Sequence, residues 1–175
     1  MRQPSVIATV ILLVPLAALI IYFDVRYRRI PNAFVLATLI SGVTINTIFG
    51  GLSGTVDSVT GCLFAFLLIF VLHVFGAMGA GDVKLFSAIG AVTGAHLVLP
   101  TFLVVVLVGG ALALVSVVRA GALIMTMHRV LQILVGLLPG WEMPRFSIPS
   151  DRKHTVPYGV AITIGGLISV ALFRH

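Results

Sequence analysis

This 175-residue chain has only five acidic residues, and two of them stand where an acid is costly. Asp24 closes the first long apolar run and Asp82 opens the fourth. Asp57, Glu142 and Asp151 fall in stretches read as loops. Ionisable side chains beside lipid face a bundle interior or a water-filled cavity. Two carboxylates a few ångströms apart resist ionising together, so such a pair shares one proton. The ionised member can take a proton from water while the protonated member polarises a peptide carbonyl. That is general acid–base hydrolysis without a metal or a covalent intermediate. The titration belongs to the pair rather than to either residue, and no cofactor is expected.

Asp82 sits in Gly79-Ala80-Gly81-Asp82-Val83-Lys84. The two glycines let backbone approach closely and adopt conformations closed to other residues. A peptide lying against this turn would use that space, and Lys84 could help hold one carboxylate ionised. A purely local reading also exists. Gly79 and Gly81 would then be a helix C-cap and turn, Asp82 an N-cap, and Asp24 a boundary residue balanced by Arg26. What favours the pair is that both acids fall at one depth. His73 reads as a packed or interfacial histidine rather than a base. The lone Cys62 lies in an apolar run, which excludes a disulfide framework within the chain and a cysteine-rich zinc site.

The elements that must position these acids are membrane helices. Hydrophobic residues make up 59% of the chain and charged residues 9%, against about 25% charged in a soluble domain. The mean hydropathy is +1.20. Six spans are expected, over 5–23, 33–49, 55–75, 82–97, 100–118 and 157–173. The fourth is interrupted at Thr93-Gly94-Ala95-His96. Pro31, Pro100 and Pro157 stand at helix starts, where a missing N–H costs nothing. Leu123, Met127, Val130, Leu131, Leu134 and Leu138 repeat at helical spacing. They predict an amphipathic helix over 121–138, lying along the membrane surface or half inserted. The fold class is therefore all-α: a polytopic membrane bundle of about six helices plus an interfacial helix, in a single membrane-embedded domain over 1–175. The first run ends in a stop-transfer flank rather than a small-residue cleavage site, so it reads as a retained helix.

Net charge is +6. The basic residues lie between apolar segments rather than on a separate soluble face, so membrane topology explains them better than nucleic acid. Nine of the eleven Lys and Arg fall on one side of a six-span arrangement and only Arg2 and Arg174 on the other. Positive residues mark the cytoplasmic side, so both termini are expected outside.

Taken together, Asp24 with Arg28-Arg29-Ile30-Pro31-Asn32, then Gly79 to Leu85, then Val156-Pro157-Tyr158-Gly159-Val160-Ala161 resemble the type IV prepilin peptidases. These are membrane aspartic proteases with a GxGD motif. The chain looks most like the short bacterial inner-membrane members that serve Flp or Tad pili. The resemblance covers essentially the whole chain. It implies Asp24 and Asp82 as the catalytic pair and cleavage of a pilin-like precursor between its basic leader and its apolar helix, at the cytoplasmic face. It also implies supporting roles for Gly79, Gly81, Lys84, Pro31, Asn32, Pro157, Tyr158 and Gly159. Long members add paired CxxC motifs and N-methylate the product. One cysteine and almost no first cytoplasmic loop predict the peptidase alone. Asn32 is read as a helix cap or a substrate contact. The Tyr158 phenol is read as a partner of a carboxylate or substrate carbonyl, or as an interfacial belt residue.

Two other function classes use the same residues. A proton-coupled transporter would employ Asp24 and Asp82 as relay groups, but it predicts acids near mid-membrane and related halves. Here the acids are at the edge and no repeat is visible. A non-catalytic assembly subunit would tolerate loss of either aspartate.

Overall fold

The computed structural model describes residues 4–75, 78–119, 121 and 158–173. Pro157 and nearly all of the expected 121–138 helix lie outside these residues. The described residues form α1 (Pro4–Tyr27), α2 (Asn32–Val74), α3 (Ala80–Thr93), a 3-10 turn (Ala95–Leu97), α4 (Val98–Arg119) and α5 (Tyr158–Phe173). The chain parts into two units, Met1–Gly109 with Pro157–His175, and Gly110–Val156. Everything described below for the site belongs to the first. In the second, the end of α4 carries exposed Leu114, Val115 and Val118, and the Ser116 hydroxyl donates back to the Leu112 carbonyl at 2.8 Å.

The all-helical membrane bundle stands, but among the described residues fewer than six helices are long and apolar enough to cross by themselves. Three stretches are long and apolar enough: Val6–Tyr27, Asn32–Val74 and Ala95–Arg119. The expected second and third spans fall in one 43-residue stretch, Asn32–Val74, that parts into two helical arms at Gly51, where the break was expected. Run straight, it would measure about 65 Å, roughly twice the hydrocarbon core. It breaks at Gly51, where φ 60 and ψ −142 is backbone that only glycine adopts without strain. The arms on either side of Gly51 fold toward each other, with the Thr47 and Thr55 hydroxyls 2.8 Å apart. The expected fourth and sixth spans are helices of 14 and 16 residues, below the ~20 that a crossing needs. α3 ends where the interruption was read, at Gly94 with φ 82.

α3 is the centre of the first unit. Every residue from Leu85 to Thr93 is buried. Val83, Leu85, Phe86 and Ile89 join Ile20, Ala65, Ile69 and Ile162 in one apolar core. Small residues set the spacing. A methyl group on Gly61 would strike the Gly90 carbonyl, and one on Gly166 would meet Ile89 Cγ2 at 2.9 Å. In lipid, helices associate through such close backbone contact, because the surrounding tails are as apolar as the interface.

The carboxyl end of α3 would strand carbonyls in a medium without water. Side chains from α2 meet them. Asn46 Nδ2 donates to the Ala91 carbonyl at 2.9 Å and to the Val92 carbonyl at 3.3 Å. The Ser58 hydroxyl donates to the Ala91 carbonyl at 2.6 Å. Asp57 was expected in an outer loop. It lies in α2, and its Oδ1 accepts the Ala95 N–H at 3.0 Å. Outside this core, Leu52, Leu107 and Ile48 are more than 70% exposed. Such residues suit lipid rather than water.

Candidate active site

Asp24 lies one turn before the end of α1 and is 7% exposed. Its carboxylate caps the start of α5. The Val160 N–H donates to Asp24 Oδ2 at 3.1 Å, and the Gly159 N–H is a second donor. The first N–H groups of a helix have no intrahelical partner, and they carry the positive end of the helix dipole. An acid is the natural group to meet them. Arg28 is a nearby countercharge. Gly159 is required by space: a methyl group there would sit 2.7 Å from Asp24 Oδ2 and 2.9 Å from Ile30 Cδ1. That is closer than real side chains approach, so the glycine lets Asp24 reach the helix.

Asp82 lies in the first turn of α3, half-buried. Its Oδ2 accepts the Gly79 N–H at 3.2 Å. Gly79 is the N-cap, so the local reading of Asp82 as the cap is corrected: Asp82 is three residues in and reaches back, as the acid of a capping box does. The conformational reason offered for the glycines is corrected too. Gly79 is ordinary extended backbone, with φ −76 and ψ 152. A methyl on Gly81 would meet only Ile30 Cδ1, at 4.0 Å. Both glycines are exposed. Nothing among the described residues demands Gly81, and glycine in a helix costs about 1 kcal/mol relative to alanine.

The two acids share one neighbourhood. Asp82 stands within electrostatic reach of Asp24 and feels it as a like charge. Ile30 is the spacer, since its Cδ1 lies beside both Gly159 and Gly81. Residues far apart in the chain thus meet where the end of α1 and the starts of α3 and α5 converge.

Residues 11–114 match the Type IV leader peptidase family. The chain belongs to that family. It is also 28% identical over 102 residues to a prepilin leader peptidase/N-methyltransferase of Bacillus subtilis (strain 168). That alignment covers 57% of this chain and 40% of the relative, so the chain spans less than half of the relative's length. No solved structure matches. The match to the leader peptidase family includes both aspartates but stops before α5, so the backbone groups that hold Asp24 lie beyond it.

The other residues named from the leader peptidase motifs divide. Pro31 is the N-cap of α2, and its carbonyl accepts the Phe34 N–H at 3.1 Å. Asn32 is therefore not the cap. It is the first helical residue, and its Oδ1 accepts from Lys84 Nζ at 3.5 Å. Lys84 is directed at Asn32 rather than at a carboxylate, while the cation beside Asp24 is Arg28. Asn32 and Lys84 line an open groove of about 380 Å³ with Val35, Leu36, Leu39, Phe66 and Ser87; neither aspartate lines it. Tyr158 begins α5 and is 39% exposed. What α5 contributes to Asp24 is backbone. The sequence reading missed the Gly159 and Val160 N–H groups, which have no side-chain signature, although an acid at one helix end and a short glycine-containing helix start elsewhere are the pattern they leave.

Proposed function

We propose that this chain is an aspartic endopeptidase that removes the basic leader from type IV pilin-like precursors of the Flp or Tad kind, at the cytoplasmic membrane face. Asp24 and Asp82 are its catalytic pair. The observation that carries this reading is their neighbourhood: 58 residues apart in sequence, each is tied to a helix start, and Ile30 stands beside both of those starts, with Asp82 in electrostatic range of Asp24. Family membership supports peptide-bond cleavage, and the relative's name supports a prepilin as the kind of substrate.

The chemistry follows from two carboxyl groups sharing a proton. The ionised one takes a proton from water as the oxygen attacks the carbonyl carbon. The protonated one donates to the carbonyl oxygen, giving a neutral tetrahedral intermediate. Its collapse breaks the C–N bond: the proton gained from water passes to the leaving amine, and one hydroxyl proton of the intermediate returns to the carboxylate that had protonated the carbonyl, which restores the shared proton. Exposed Gly79 and Gly81 leave room for an extended peptide beside Asp82. The single cysteine cannot supply paired CxxC motifs, so these residues perform the peptidase half of the chemistry named for the relative. They act as one membrane-embedded domain. No nucleic acid takes part, and the partners are the precursor and membrane lipid. Gly81, Lys84, Asn32, Pro31, Pro157, Tyr158 and Gly159 support the site.

The test is to co-express a pilin-like precursor with the wild type, Asp24→Asn and Asp82→Asn, and follow leader removal. Each change keeps shape and removes the acid. General acid–base groups contribute about 10²- to 10⁴-fold, so each variant should fall by at least ~10²-fold. Normal processing by either one rules out the pair.

A further inference from the structure

His73, the penultimate residue of α2, is half-buried, and its Nδ1 lies 2.7 Å from the Met78 carbonyl oxygen. A carbonyl oxygen only accepts, so Nδ1 carries the hydrogen and donates. The Met78 carbonyl and the Gly79 N–H belong to one peptide group, which is planar. The Gly79 N–H in turn donates to Asp82 Oδ2. Imidazole, peptide and carboxyl therefore form a single line: N–H to C=O, then N–H to carboxyl oxygen.

We infer that His73 is a positioning residue for Asp82, acting through the Met78–Gly79 peptide. Two physical effects run along this line. Donation to the carbonyl stops the peptide plane from rotating, which aims the Gly79 N–H at Asp82. It also polarises the amide, and hydrogen bonds in such a chain strengthen one another. Asp82 is half-buried in the first turn of its helix, and the Gly79 N–H is the donor that fixes its Oδ2. Among the described residues His73 bonds to the Met78 carbonyl and to neither acid, so its role is to position rather than to react. The inference rests on the reading of Asp82 as half of the hydrolytic pair.

The test compares His73→Asn, His73→Gln and His73→Leu with the wild type, all in membranes, using a precursor peptide and separating kcat from KM. Asparagine places an amide donor near the position of Nδ1, glutamine places it near Nε2, and leucine removes it. A hydrogen bond of ordinary worth predicts a roughly 3- to 10-fold fall in kcat for His73→Gln and His73→Leu, with KM within about twofold. His73→Asn should stay within about twofold of wild-type kcat. A purely structural histidine would not separate asparagine from glutamine. Equal kcat for those two variants, a change confined to KM, or wild-type kcat in His73→Leu overturns the inference. If His73→Leu does not fold, the contrast between Asn and Gln still decides. Asp82→Asn runs alongside: normal cleavage there defeats the functional reading itself, whereas equality of the Asn and Gln variants with an inactive Asp82→Asn defeats only His73.

Discussion

A single methyl group can test how Asp24 is held. In Gly159→Ala the new carbon would press on Asp24 Oδ2 and on Ile30, so the carboxylate must leave the start of α5 or the helices must part. Overpacking of this kind costs about 1–3 kcal/mol. A shift of ~1 Å at a reacting group can cost about 10²-fold in rate. Gly159→Ala is therefore expected to lower the thermal midpoint in detergent and to lose cleavage out of proportion to that loss. Wild-type cleavage in this variant would mean that α5 does not position Asp24. The acid itself was legible in sequence, because a carboxylate in an apolar run needs a reason. The glycine opposite it was legible only as a motif letter; its cause is a distance to Asp24 and Ile30, which no local pattern contains.

Among the helices, α3 depends most on its neighbours. It is short, buried along most of its length, and its carboxyl end is met by Asn46, Ser58 and Asp57 from α2. Leaving a buried carbonyl without its partner costs about 1–3 kcal/mol. Asn46→Leu should therefore lower the thermal midpoint measurably, whereas Thr47→Val, at an exposed position, should change stability by no more than ~0.5 kcal/mol. Equal midpoints for the two variants would contradict the account of α3. Apolar runs and glycine breaks located every described helix. They also placed a break at Gly50-Gly51 between the second and third runs, where the two arms part; which of the two glycines carries it is decided by one residue's torsion angles.

For the molecule as a whole, the distribution of Lys and Arg is the main guide to orientation. On the six-span reading, nine basic residues against two predict that Asp24 and Asp82 lie on the cytoplasmic side. A reporter enzyme fused after His175 should be active only if that end lies outside. One inserted between Asn46 and Asp57, around the Gly51 bend, should also report the outside, and one inserted near Glu142 should report the cytoplasm. The opposite pattern would put the acids on the wrong face for a leader held inside the cell. Exposed Leu52, Leu107 and Ile48 accord with a bundle whose outer surface is lipid.

Composition and charge pattern alone established a helical membrane protein with two misplaced acids, because burying a carboxylate in an apolar segment is costly enough to demand a purpose. They also marked Asp24 and Asp82 as the residues to watch. Folding decided what the acids bond. Asp24 meets backbone N–H groups 135 and 136 residues away, at Gly159 and Val160, and Asp82 meets an N–H three residues back that His73 holds from the end of the preceding helix. The physical reason is that backbone amides are the same in every sequence. Only the packing of α3 and α5 against α1 and α2 selects which of them become partners.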